Sequence, residues 1–163
     1  MAISHEQSIA IARPAATVFE RLVDVERWPV WLIASGIVRV TRDGDPDAPD
    51  HADASDVPLA TDAHLVIEQR LAGVRTSIIE ATVTELSAPT RFAVDGRDAD
   101  GIAIRIEATI EATEPGCRLD WHLTITLPLR YRAFESMAAP QVRRAAALDL
   151  EAFRLRLESS PTS

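Results

Sequence analysis

From residue 102 the chain alternates in steps of two. Ile102, Ile104, Ile106, Ala108, Ile110 and Ala112 interleave with Ala103, Arg105, Glu107, Thr109 and Glu111. A Glu-Pro-Gly turn at Glu114–Gly116 follows, and alternation resumes as Cys117, Leu119, Trp121, Leu123, Ile125 and Leu127 against Arg118, Asp120, His122, Thr124 and Thr126. Patterning of this length predicts an antiparallel hairpin with one buried and one wet face. From Pro140 the period turns helical, with Val142, Ala146, Leu150, Phe153 and Leu157 on one stripe, which predicts a C-terminal helix over 140–158. A curved sheet gripping one long helix is a container for an apolar small molecule.

Upstream, Ile9 and Ile11 alternate with small residues over Ser8–Arg13, as a first strand does. Pro14 suits the first position of a helix, where a missing N–H costs no bond. Val18, Phe19, Leu22, Val23 and Val25 continue that helix to about Arg27, and Pro29 in Trp28-Pro-Val-Trp breaks it and starts a second short one. Strands are expected over Gly36–Arg42, His64–Leu71, Val74–Leu86 and Thr90–Val94. Residues 43–62 hold seven aspartates and three prolines; such a segment cannot pack a core and reads as an exposed acidic loop. No internal repeat and no second domain is visible, so 1–163 reads as one domain.

Composition is that of a globular protein, 47% hydrophobic and 26% charged. The net charge of −8 repels phosphate backbones, which argues against nucleic acid and anionic membrane as partners. All 17 basic residues are arginine, so no side chain can form a Schiff base. The lone cysteine, Cys117, falls on the apolar face of a strand and reads as a core residue. Neither a signal peptide nor a stretch of about 20 apolar residues is evident. A cytoplasmic location, and a monomer or homodimer, are expected.

Several segments fall in the order of a known superfamily. Ser8-Ile-Ala-Ile-Ala-Arg-Pro-Ala-Ala-Thr-Val-Phe resembles the opening strand and helix start of the START-like (SRPBCC) proteins. Trp28-Pro-Val-Trp is similar to their second short helix, Val83-Thr-Glu-Leu-Ser-Ala-Pro-Thr-Arg-Phe to a strand–turn–strand segment, and Phe153-Arg-Leu-Arg-Leu-Glu to the end of the terminal helix. The resemblance spans nearly the whole chain and is nearest to the polyketide cyclase/dehydratase and lipid-transport branch. It implies an α+β helix-grip fold: a seven-stranded curved antiparallel sheet wrapped around a long C-terminal helix, two short helices after strand 1, and a cavity between sheet and helix. The acidic segment departs from the tight connection expected there.

If the apolar strand faces point at the helix, the lumen takes Leu65, Ile67, Gln69 and Leu71, then Ser77, Ile79, Ala81 and Val83, then Phe92 and Val94. The hairpin adds Ile102, Ile104, Ile106, Leu119, Trp121, Leu123 and Ile125. Trp28, Trp31 and Ile33 would close one end, with Tyr131, Phe134 and Met137 beside the last helix. The bland alternative is that these side chains simply fill a core. Among polar candidates, Arg75 shares parity with Ser77 and could fork onto a ligand carboxylate or enolate, or else reach solvent. Gln69 and Tyr131 could orient a carbonyl. His122 shares the wet face with Asp120; His5 and His64 are expected to be exposed, and His51 lies in the acidic loop.

Asp43, Asp45 and Asp47 mimic the first ligands of a calcium loop, but Ala48 stands where that loop needs glycine and Ala54 where it needs glutamate. No phosphate loop, paired-cysteine zinc spacing or nucleophile elbow occurs, so neither metal nor cofactor is expected. Three functions remain open: binding or transport of a hydrophobic lipid, polyketide or aromatic metabolite; a polyketide aromatase/cyclase or dehydratase; and a protein-interaction module docking through the acidic loop. Whether a reaction is catalysed stays undecided, since such cyclases can work by shape.

Overall fold

A computed structural model describes residues 2–42, 58–71 and 75–161. Seven strands form one antiparallel sheet in the order β1-β7-β6-β5-β4-β3-β2: β1 (Ala2–Ile11), β2 (Ile37–Arg42), β3 (His64–Leu71), β4 (Arg75–Ser87), β5 (Arg91–Asp98), β6 (Ala103–Ala112) and β7 (Cys117–Thr126). Helices α1 (Ala15–Leu22) and α2 (Trp28–Trp31) follow β1, and α3 (Glu135–Ser159) closes the chain. The sheet is curved around α3, which is the helix-grip arrangement. Asp43, Asp45 and Asp47, which mimic the first ligands of a calcium loop, lie with most of the acidic segment outside the described residues.

Alternation builds the sheet. On β4, Ser77, Ile79, Ala81 and Val83 are buried in steps of two, until a register shift between Val83 and Glu85 interrupts the ladder. On β7, Cys117, Leu119 and Trp121 are buried, and burial raises the Cys117 thiol pKa, which keeps it protonated. His122 falls on the outer face, 3.4 Å from Glu107 and 3.6 Å from Glu6.

Several boundaries differ from the sequence reading, among them the end of β5, which runs to Asp98 rather than Val94. Strand β1 begins at Ala2 rather than near Ser8. Its inward positions include His5 and Gln7, which share a 2.9 Å hydrogen bond and are half-buried, so polar residues concealed the alternation. Thus His5 is not exposed, and His64 is half-buried too. Helix α1 stops at Leu22, and after a short 3-10 turn at Val25–Arg27, Pro29 sits inside the first turn of α2, where it suits a helix start rather than a break. Helix α3 begins at Glu135, not Pro140. Pro140 lies inside it and is exposed, so the carbonyl it leaves unbonded one turn earlier belongs to the exposed Ser136.

The core is graded along α3. Leu150, Phe153 and Leu157 fill the space beneath its C-terminal half, where Phe153 meets Trp31 with ring centroids 4.6 Å apart. Trp28 is 1% exposed, packs edge-on to Phe92 at 6.2 Å and donates its indole N–H to the Leu22 carbonyl at 2.9 Å. The end of α3 is tied to β1 by Arg13, which donates to the carbonyls of Glu158 and Ser160 at 2.6 and 2.9 Å.

Candidate functional site: a cavity beneath the long helix

On the same face of α3 the N-terminal half carries Gln141, Val142, Ala145, Ala146 and Asp149, spaced four and three residues apart. Ala145 and Ala146 are too short to reach the sheet as Phe153 does about two turns later. A cavity of about 230 Å³ remains. Its floor is β6 and β7, through Ile104, Ile106, Trp121, Leu123 and Ile125. Its far side is the loop after α2, with Trp31, Leu32, Ala34, Ser35 and Ile37, and the end of β3, with Gln69, Arg70 and Leu71. Gln141, Arg70 and Leu71 are exposed at its rim, so the cavity opens to solvent.

The loop from Leu32 to Gly36 is held at both ends. Both oxygens of Asp149 accept backbone N–H groups, Oδ1 from Ala34 at 2.8 Å and Oδ2 from Ser35 at 2.9 Å. Gln69 Nε2 donates to the Ser35 carbonyl at 2.7 Å, and Arg70 N to the Gly36 carbonyl at 2.8 Å. Gly36 has φ +76, and a Cβ there would stand 2.2 Å from the Arg70 carbonyl oxygen, so only glycine fits. Asp149 is 2% exposed. Burial raises its carboxyl pKa above the ordinary aspartate value, against the opposing pull of the Ser35 hydroxyl and the two backbone donors.

Of the residues picked from sequence, the cavity wall brings together Trp31, Gln69, Leu71, Ile104, Ile106, Trp121, Leu123 and Ile125. The others stand elsewhere. Trp28, Phe92 and Val94 point inward but are packed solid, each at 1% exposure. Ser77 is buried off the cavity and donates to Asp98 Oδ2 at 3.1 Å, supporting the turn that Asp98 caps through the N–H groups of Asp100 and Ile102. Arg75 turns to solvent and pairs with Asp100; its parity is inward, but as the first residue of β4 it pairs only with Leu71 of β3 and lies beyond the end of β5, whose pairing begins at Ile79. Tyr131 sits beside Arg130, whose guanidinium carbon is 4.9 Å from the ring, and Arg130 with Arg75 holds the phenol below its usual range. Phe134 and Met137 are exposed, as is Ile33. Sequence reasoning missed Asp149, although its spacing from Ala146 and Phe153 places an acid on the apolar stripe of α3.

This cavity and fold can be set beside known proteins. The model of the family "Polyketide cyclase / dehydrase and lipid transport" matches residues 2–158. The chain belongs to that family. Among curated proteins no sequence matches it. Solved structures share the fold at low identity. The di-domain ARO/CYC BexL from the BE-7585A biosynthetic pathway aligns with a TM-score of 0.70 at 14% identity, over 98% of this chain and 51% of BexL. Ara h 8.0201 aligns at 0.64 and 14%, over 98% of this chain and all of its own. TTHA0849 from Thermus thermophilus aligns at 0.66 and 12%, again over 98% and 100%. At these identities the likeness is one of fold. Among the described residues no helix of this family member is long and apolar enough to cross a membrane.

Proposed function

We propose that the protein binds a small hydrophobic molecule in the cavity beneath α3. The observation that carries this reading is the contrast along one helix face: Phe153 and Leu157 close the core, while Ala145 and Ala146 leave an apolar space open to solvent. The family's lipid-transport and cyclase membership supports it. At about 230 Å³ the space is smaller than the roughly 300–1,000 Å³ of sites for drug-sized ligands. It suits a compact aromatic or short-chain molecule, or one end of a longer one reaching out past Arg70. Native mass spectrometry of the gently purified protein tests this. A reproducible apolar metabolite near unit occupancy supports it; a protein that emerges empty and binds no neutral hydrophobic dye refutes it.

A second reading, cyclisation or dehydration of a polyketide-like chain, draws on the same cavity and on the likeness to BexL. Asp149 and Arg70 are the ionisable side chains on the wall. Asp149 is the group that could take a proton from a substrate carbon, so turnover of a model poly-β-ketone, lost in Asp149→Asn, separates catalysis from carriage. The docking role through the acidic segment gains no support, because residues 43–57 lie outside the described structure.

A further inference from the structure

Asp149 is a buried carboxylate on the wall of an apolar cavity, and no cation pairs with it among the described residues. A carboxylate offers about four acceptor sites. Two are taken, by the N–H groups of Ala34 at 2.8 Å and Ser35 at 2.9 Å. Acceptor capacity is left over on both oxygens. Elsewhere the wall is hydrocarbon and indole, apart from Ser35 beside Asp149, from Gln69, whose amide nitrogen is already bonded to the Ser35 carbonyl, and from Gln141 and Arg70 at the exposed rim.

From this arrangement we infer that the cavity selects an uncharged ligand whose polar end is a hydroxyl, donated to Asp149, and rejects the matching carboxylate. The inference rests on the cavity being the ligand site. A hydroxyl supplies a donor for the acceptor capacity that the two backbone N–H groups leave over. A carboxylic acid or phosphate brought to the same place sets a second negative charge against one that no guanidinium offsets, in surroundings where charge is weakly screened. The alcohols and phenols of a given skeleton therefore bind where the corresponding acids do not. The Ala145 and Ala146 methyls flank the carboxylate on the helix and give the hydroxyl room to approach.

The test uses the intact protein at neutral pH and two probes of equal chain length, octanol and octanoate. The fluorescence of Trp31 and Trp121, both on the wall, reports binding. Octanol is expected to bind at least about tenfold more tightly than octanoate, a ratio worth about 1.4 kcal/mol. In Asp149→Asn, with folding checked by circular dichroism, the ratio is expected to fall to within about threefold. Octanoate binding as tightly as octanol, or more so, overturns the inference while leaving the cavity reading intact, and moves the polar end to the rim at Arg70. Binding of neither probe overturns both. Should the variant fail to fold, the wild-type ratio alone decides.

Discussion

Asp149 on α3 reaches across the cavity wall to accept the backbone N–H of Ser35 at 2.9 Å, between residues 114 apart in sequence, while its other oxygen takes Ala34. The long helix is thereby fastened to the loop that follows α2, and the fastening and the cavity's buried charge are one group. In Asp149→Ala two backbone donors lose a charged acceptor. Water can replace it only in part, since Ala34 is exposed but Ser35 half-buried. Hydrogen bonds to charged groups contribute roughly 1.5–3 kcal/mol, offset here by relief of a buried charge, so a net loss of about 1–2 kcal/mol is expected in urea denaturation. Amide exchange at Ala34 and Ser35 should accelerate more than at β6. Unchanged exchange there would show that Gln69 and Arg70 hold the loop unaided.

The same carboxyl gives stability a pH dependence of definite sign. Its folded-state pKa is raised above the ordinary 3.8, chiefly by burial. Between the unfolded and the folded value the native state holds more protons, so stability falls as pH rises through that window and is level above it. Measured against Asp149→Asn, wild-type stability should therefore gain on the variant as pH is lowered from about 7 to about 3.5. Subtracting the variant's curve removes other carboxylates, among them Glu107, which Arg105 holds below its usual range and which acts in the opposite direction. A difference curve sloping the other way would mean that the donors from Ala34 and Ser35 outweigh burial.

How far these features were legible in the sequence depended on what kind of fact each was. Strand parity was readable wherever one face was apolar without interruption, as in β4, β6 and β7. It failed at the start of β1, because His5 and Gln7 satisfy each other on the inner face. Proline misled at residue 140, where the freed carbonyl is on the exposed side of α3 and water can bond it. The cavity was harder, since parity says which way a side chain points and not whether anything meets it there. Ile106 and Val94 share the inward face of neighbouring strands; Ile106 faces open space under the short Ala145 and Ala146, whereas Val94 lies in the packed core with Trp28 and Phe92. For Ile106 that difference is set by residues about forty positions away, on another element. Asp149 was missed, although an acid beside an apolar stripe was there to be seen.

Filling the space should abolish binding with the fold intact. Ala146 is 4% exposed and looks into the cavity from α3, so Ala146→Phe places a ring where a ligand would lie. Overpacking a filled core costs about 1–3 kcal/mol, but here there is room, and a loss below about 1 kcal/mol is expected. Affinity for octanol or a neutral dye should drop at least about tenfold, equal to about 1.4 kcal/mol. Undiminished affinity in a folded Ala146→Phe protein would place the binding site outside the cavity.

Gly36 offers the complementary experiment, one that changes the wall without touching its side chains. Its positive φ and the 2.2 Å approach of a built Cβ to the Arg70 carbonyl leave no room for even a methyl group. The Arg70 carbonyl belongs to β3, whose N–H at the same residue donates back to Gly36, so the strand cannot retreat without losing that bond. Gly36→Ala should destabilise by at least about 2 kcal/mol, from the left-handed backbone together with the clash. The displacement falls on Ser35 and hence on both of its partners, Gln69 and Asp149. Octanol affinity should weaken with it in protein that remains folded at low temperature, whereas Gly101→Ala, at the similar φ of +84 but with no atom nearer than 3.5 Å and no part in the cavity, should leave affinity unchanged. Equal effects of the two substitutions on affinity would detach the loop from ligand binding.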